Sequence, residues 1–120
     1  MSGALAVATG GALGAVLRGV GVHRITARRS ATSVLAILAI NGVGSFVFGV
    51  LTSLATDGHL SQTLRLALGT GFCGGFTTFS TFALDTIRLD DRGRRPAAAS
   101  LVVMTVTLSG TAGAIGLFVG

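Results

Sequence analysis

Long apolar runs separated by short polar connections dominate the pattern of this chain. Four runs are long enough to cross a membrane, at about 3–22, 33–56, 62–84 and 97–119. A bilayer core about 30 Å thick takes roughly 20 apolar residues in one helix. The connections HRITARRSAT, DGHLS and DTIRLDDRGRRP are too short to hold a soluble domain. The pattern predicts an all-α membrane protein, with residues 1–120 forming a single domain of four transmembrane helices.

Composition supports a membrane protein. Half of the 120 residues are hydrophobic and 11% are charged, whereas soluble domains carry about 25% charged residues. The 19 glycines suit close helix packing in lipid. A lone cysteine, Cys73, excludes an internal disulfide or a cysteine cluster.

All nine basic residues are arginines, and their distribution predicts the topology. Eight lie in or beside the first and third connections, and Arg65 alone is on the other side. The eight are Arg18, Arg24, Arg28, Arg29, Arg88, Arg92, Arg94 and Arg95. Because arginine-rich loops stay in the cytoplasm, we expect a multi-pass plasma-membrane protein with both termini outside. The net charge of +5 is therefore interpreted as a topology signal, and no nucleic-acid partner is expected.

The third run contains GFCGGFTTFSTF, residues 71–82, which is unusually rich in glycine for a membrane helix. Each glycine weakens a helix by roughly 1 kcal/mol relative to alanine. We therefore expect a break at Gly74 and Gly75, near the middle of the third helix. Backbone groups released inside a membrane need partners, and freed carbonyl oxygens are ligands for hard cations.

Hydroxyl and phenyl side chains follow these glycines. The hydroxyl residues Thr77, Thr78, Ser80 and Thr81 are candidates to satisfy the broken backbone or to line a polar path. Phe79 and Phe82 are three residues apart and share one helix face. A phenyl ring has a positive edge, so these rings suit contact with an anion, although simple packing explains them equally well from the residues alone.

A few polar residues lie inside the other runs. The Asn41 side chain either makes a hydrogen bond between helices or points an amide donor into a polar path. Arg18, near a helix end, is expected to extend to the membrane interface, with a direct role in a pore as the alternative. Thr105 and Ser109 lie on one face of the last helix, where their hydroxyls either donate to an anion or bond to their own helix.

The residue inventory also excludes classes of function. There is no nucleophile–base pair or metal-ligand cluster, so no feature favours an enzyme. None of the aspartates falls within the four runs, which argues against a proton-coupled exporter. The alternatives that share four spans are a small multidrug-type transporter and a membrane scaffold without transport. The first should carry a membrane-embedded glutamate, and this chain has no glutamate.

Three motifs together identify a resemblance to a known family. GFCGGFTTFSTF resembles the signature of the Fluc (CrcB) fluoride channels, and GGALGAVLR and NGVGSFVFG match that family in the first and second runs. The resemblance implies an antiparallel dimer with two narrow pores that exports fluoride passively. It also implies that Asn41, Phe79 and Phe82 lie along the fluoride path.

The same resemblance implies two further features. A structural sodium ion at the dimer centre would be held by the backbone carbonyls of Gly74 and Thr77 from both subunits. A polar track on the last helix would map to Leu101, Thr105 and Ser109, although the first of these positions is commonly tyrosine in the family. The arginine bias is unusual for a chain that must insert both ways, so we expect a homologous second subunit of opposite orientation, a homodimer being the alternative.

Overall fold

A computed structural model describes residues 2–29 and 33–120, and these form helices and short turns with no strand. In chain order, the elements are α1 (Ser2–Arg29), α2 (Ser33–Thr56), α3 (Gln62–Arg65), a π-helical segment (Leu66–Cys73), α4 (Gly74–Phe76), α5 (Ser80–Asp91) and α6 (Arg95–Val119). Helix α3, the π-helical segment and α4 follow one another without interruption, and a break separates α4 from α5. The expected all-α class with a broken third helix is therefore confirmed.

Three helices in the described residues are long and apolar enough to cross a membrane. The segments that qualify are Gly3–Arg24, Leu35–Thr56 and Arg95–Val119. The third predicted span does not qualify as one helix because its break leaves two pieces, each shorter than the roughly 20 residues that a bilayer requires. The molecule is 48 Å long, which matches a bilayer with its headgroup regions, about 40–45 Å.

Two connections are shorter than the sequence suggested. Helix α1 continues through HRITARR to Arg29, and α5 continues through DTIRLDD to Asp91. Neither stretch contains glycine or proline, so charge alone does not end the helix. Gly93, with φ of 75°, provides the left-handed residue after α5. The rest of the first predicted connection, 30–32, lies outside the described residues.

Small residues bring the helices together in two pairs. Helix α1 packs mainly on the π-helical segment and α4, and α2 packs mainly on α6. A Cβ atom added at Gly14 would collide with the Phe72 carbonyl, and one added at Gly116 would collide with the Phe46 carbonyl. Glycine therefore sets the helix separation in both pairs, as expected for association in lipid.

The break lies at Thr77–Phe79 and not at the two glycines. Gly74 and Gly75 are helical, and the backbone becomes extended at Thr77, where ψ is 159°. A Cβ atom at Gly75 would collide with the Gly11 carbonyl, so this glycine permits close approach to α1 and does not open the helix. The prediction of a break is confirmed, but its predicted position is wrong by about three residues.

Candidate functional site

Asn41 of α2 is bonded to the broken helix. Its Nδ2 donates to the Thr78 carbonyl at 3.1 Å, and its Oδ1 accepts from the Thr78 N–H at 2.9 Å. Both residues are buried, with Asn41 8% exposed. Because one backbone group is a donor and the other an acceptor, the two bonds fix the orientation of the amide. Asn41 thus replaces the helical partners that Thr78 loses at the break.

Arg18 of α1 also reaches this break. Its Nη1 donates to the Thr77 carbonyl at 3.2 Å, and its side chain is partly buried. The sequence placed Arg18 near a helix end and suggested that it extends to the interface. That interpretation is wrong, since the guanidinium turns inward to a backbone carbonyl that lacks a helical donor. A positive charge therefore lies beside the break.

The hydroxyl residues of the break satisfy local backbone groups. Thr77 Oγ1 donates to the Cys73 carbonyl at 2.8 Å. Thr78 Oγ1 accepts from the Thr81 N–H at 3.3 Å and lies 3.3 Å from Ser80 Oγ and 3.4 Å from Thr81 Oγ1. These hydroxyl groups provide a hydrogen-bond acceptor for the first turn of α5, which has no other side-chain cap.

The two phenylalanines after the break differ in exposure. Phe79 is 77% exposed, whereas Phe82 is half-buried. Their ring centroids are 5.8 Å apart with an interplanar angle of 62°, an edge-to-face pair. Phe72 and Phe76 instead stack in parallel at the same separation. The exposure of Phe79 shows that packing within the chain does not account for this ring.

On α6, Thr105 has a buried hydroxyl with no hydrogen-bond partner in the described residues. Threonine hydroxyls elsewhere in the chain bond back to their own helix, as Thr52 does to the Phe48 carbonyl at 2.8 Å. Ser109, one turn further on, is half-buried, and Leu101 is buried one turn before. The Thr105 hydroxyl is thus a donor that nothing in the described chain uses.

The residues whose carbonyls are the expected cation ligands, Gly74 and Thr77, lie at or next to the break. The Thr78 N–H, which would close the next helical turn onto Gly74, donates to Asn41 instead. A Cβ atom at Gly74 would meet nothing within 4 Å, so its backbone is open to the outside. Both residues line an open cleft of about 590 Å³.

The position of Asp85 differs from the one expected from the sequence. Its side chain is only 7% exposed, and its Oδ2 has no hydrogen-bond partner in the described residues. The sequence predicts Asp85 in a polar connection, and an expected lack of buried carboxylates argues against a proton-coupled exporter. That premise is wrong, because α5 continues as a helix and carries Asp85 inward.

Sequence reasoning found the residues of the break but missed two of their contacts. Asn41 and Thr78 are 37 residues apart, and Arg18 and Thr77 are 59 apart. No local pattern encodes such pairs. The signal available was chemical, since a polar side chain inside an apolar run must find a partner.

Comparisons with known proteins identify one family. The model of the CrcB-like protein family, described as Camphor Resistance (CrcB), matches residues 5–117. The chain is 47% identical to a fluoride-specific ion channel FluC of Rhizobium etli, over 88% of this chain and 86% of the relative. It is 44% identical to FluC 1 of Leifsonia xyli subsp. xyli, over 97% and 85%. It is 47% identical to FluC of Rhizobium leguminosarum bv. trifolii, over 97% and 94%.

Proposed function

The chain belongs to the CrcB family, and we propose that it is a subunit of a fluoride-specific ion channel that lets cytoplasmic fluoride leave the cell passively. The observation that carries this proposal is the likeness to fluoride-specific channels over nearly the whole of both chains. A bacterium lacking its own fluoride exporter provides the test. Expression of this chain, together with a homologous second subunit if one is required, should restore growth in fluoride, and unchanged sensitivity despite membrane insertion would contradict the proposal.

The proposed ion path runs past neutral donors and ring edges. Fluoride is small and strongly hydrated, so it enters only where hydrogen-bond donors replace its water. Asn41 has a second amide N–H without an acceptor in the described chain, and the Thr105 hydroxyl is also unused. Phe79 and Phe82 would offer positive ring edges, and Ser109 would extend the row of hydroxyls. Neutral groups suit conduction because an ion held too tightly does not leave.

The proposed sodium site consists of the Gly74 and Thr77 carbonyls. Their chemistry fits a hard cation, which prefers neutral or anionic oxygen ligands. Gly74 is open to the outside, while the Thr77 carbonyl already accepts one bond from Arg18 and keeps a second lone pair. Two carbonyls from one chain are too few for a coordination shell, so a second subunit would supply the rest. When bound, the ion would supply positive charge and link the subunits.

Sodium dependence of the dimer tests this site. Replacing sodium with the bulky cation N-methylglucamine should reduce the dimer fraction measured by light scattering. An unchanged dimer fraction would count against a structural sodium ion.

We further propose an antiparallel dimer. Helices α1 and α6 bury little of their surface within the chain, and the cleft beside Gly74 is open, so both leave surface for a second subunit. The eight-to-one arginine bias favours one orientation of this chain. A homologous subunit of opposite orientation is therefore the favoured partner. Antiparallel, fluoride-conducting dimers formed by the purified chain alone would contradict this preference for a heterodimer.

The proposed orientation places both termini outside the cell. The arginine-rich ends of α1 and α5 would then lie in the cytoplasm. A reporter that is active only outside the cytoplasm, fused after Gly120, should be active. Activity of a cytoplasmic reporter at the same position would contradict the topology.

A further inference from the structure

A cleft of about 620 Å³ lies between the start of α2, the end of α5 and the start of α6, and the residues of the break do not line it. Three arginines line it, Arg88, Arg92 and Arg94. Apolar side chains, Leu35, Leu38, Leu101 and Met104, also line it. The cleft therefore combines guanidinium groups with an aliphatic surface, a combination that neither an ion path nor a packing gap requires.

The three arginines have no partner within the described chain. Arg95, next to them in sequence, is ion-paired with Asp90 at 3.0 Å. No hydrogen bond or ion pair of the described residues involves the guanidinium groups of Arg88, Arg92 or Arg94. Asp85 is the acidic residue of the cleft lining, so positive charge is in excess there. Unpaired guanidinium groups are strong donors to a phosphate, which they can hold with two parallel hydrogen bonds.

The start of α6 adds to this charge. The helix begins at Arg95 without a side-chain cap, and Ala97 of its first turn lines the cleft. Pro96 in this turn has no N–H, and the remaining free N–H groups of the helix N-terminus attract anionic oxygens. The backbone and the three side chains thus favour the same kind of ligand.

The cleft lies at the level of a lipid headgroup. The apolar segments of α2 and α6 begin at Leu35 and Arg95, and the cleft contains Leu35 and the first turns of α6. Water-facing charge and membrane-facing aliphatic side chains therefore meet here. Basic pockets between transmembrane helices at this level bind anionic lipid headgroups.

We propose that this cleft binds the phosphate of an anionic phospholipid. The three guanidinium groups hold the phosphate, and an acyl chain lies along the exposed side chains of Leu35 and Met104. A small free anion gains nothing from the aliphatic surface, whereas the acyl chain of a lipid does. The proposal requires only that the chain spans a membrane, and it is independent of which ion the protein conducts.

Binding of fluorescent phosphatidylglycerol to the detergent-solubilised protein tests the proposal. Phosphatidylcholine with the same acyl chains is the comparison lipid, because its headgroup has no net charge. We expect phosphatidylglycerol to bind more tightly, and the triple variant Arg88→Gln/Arg92→Gln/Arg94→Gln to bind it on the order of tenfold more weakly or worse. Arg95→Gln is the control, since it removes a charge at the start of α6 but not from the cleft, and it should bind as the unchanged protein does.

Any one of several outcomes would overturn the proposal. They are equal affinity for both lipids, an unaffected triple variant, or an equal loss in the Arg95→Gln control. Displacement of the lipid by an equimolar amount of inorganic phosphate would also overturn it, by showing a site for a free anion. If the triple variant elutes as an aggregate, the single variant Arg92→Gln decides, with an expected loss of about fivefold. The assay measures no ion flux, so its failure is distinguishable from failure of the channel function.

Discussion

The side chain of Asn41 is hydrogen-bonded to both backbone polar groups of Thr78, at 3.1 and 2.9 Å. Thr78 lies in the break between α4 and α5. A break in a membrane helix exposes groups that lipid cannot satisfy. One carboxamide from α2 satisfies two of them. The break is thus held open by a residue of a different helix.

Asn41→Ala should destabilise the protein by about 1–3 kcal/mol, because it leaves a buried N–H and a buried carbonyl without partners. Fluoride flux should fall as well, since the variant lacks the remaining amide donor. Thermal inactivation of the purified protein measures the first effect. Ser45→Ala, one turn further along α2, is the control and should change neither quantity. An Asn41→Ala protein as stable as the parent would contradict the bracing role.

Arg18→Gln should lower stability by about 1.5–3 kcal/mol, because a hydrogen bond from a charged donor to the Thr77 carbonyl is lost. Arg24→Gln removes the same charge from an exposed position on the same helix. The difference between the two thermal midpoints isolates the inward contact from the general effect of charge. Equal midpoints would show that the contact with Thr77 contributes nothing.

Thr105→Val separates stability from conduction. The Thr105 hydroxyl is buried without a partner in the described chain, so replacing it with a methyl group of similar shape should leave stability unchanged or slightly higher. Fluoride flux should nevertheless fall several-fold, because a donor along the path is removed. Thr52→Val is the comparison, since that hydroxyl bonds to its own helix. Reduced stability with unchanged flux would reverse the assignment of Thr105.

Phe79→Ile and Phe82→Ile should each reduce fluoride flux by at least tenfold while the protein still folds. Isoleucine keeps an apolar side chain but has no positive ring edge. Phe118, which is 95% exposed on α6, provides the control. Phe118→Ile should conduct as the parent does. Flux that survives both substitutions would exclude the ring edges from the path.

Much of the fold was predictable because it depends on local composition. The lengths of the apolar runs predicted the helices, and the glycines of GFCGGFTTFSTF predicted an interruption. The position of the break was not predictable from these glycines. It depends on Asn41, which lies 37 residues away and competes for the backbone of Thr78.

The candidate site was likewise predictable only in part. The resemblance selected Asn41, Phe79 and Phe82 by their place in motifs, while the inward turn of Arg18 depends on helix packing that no motif records. Asp85 was misplaced for a different reason. Its charged neighbours resemble a loop, although no glycine or proline ends the helix before Gly93.

Ion efflux from liposomes tests the central claim most directly. The purified chain, with its partner subunit if one is required, is reconstituted into vesicles loaded with equal concentrations of fluoride and chloride, and each anion is followed with its own electrode. The account predicts rapid loss of fluoride, no loss of chloride, and strongly reduced fluoride efflux with Phe82→Ile. Efflux of both anions at similar rates, or of neither from a folded and inserted protein, would contradict it.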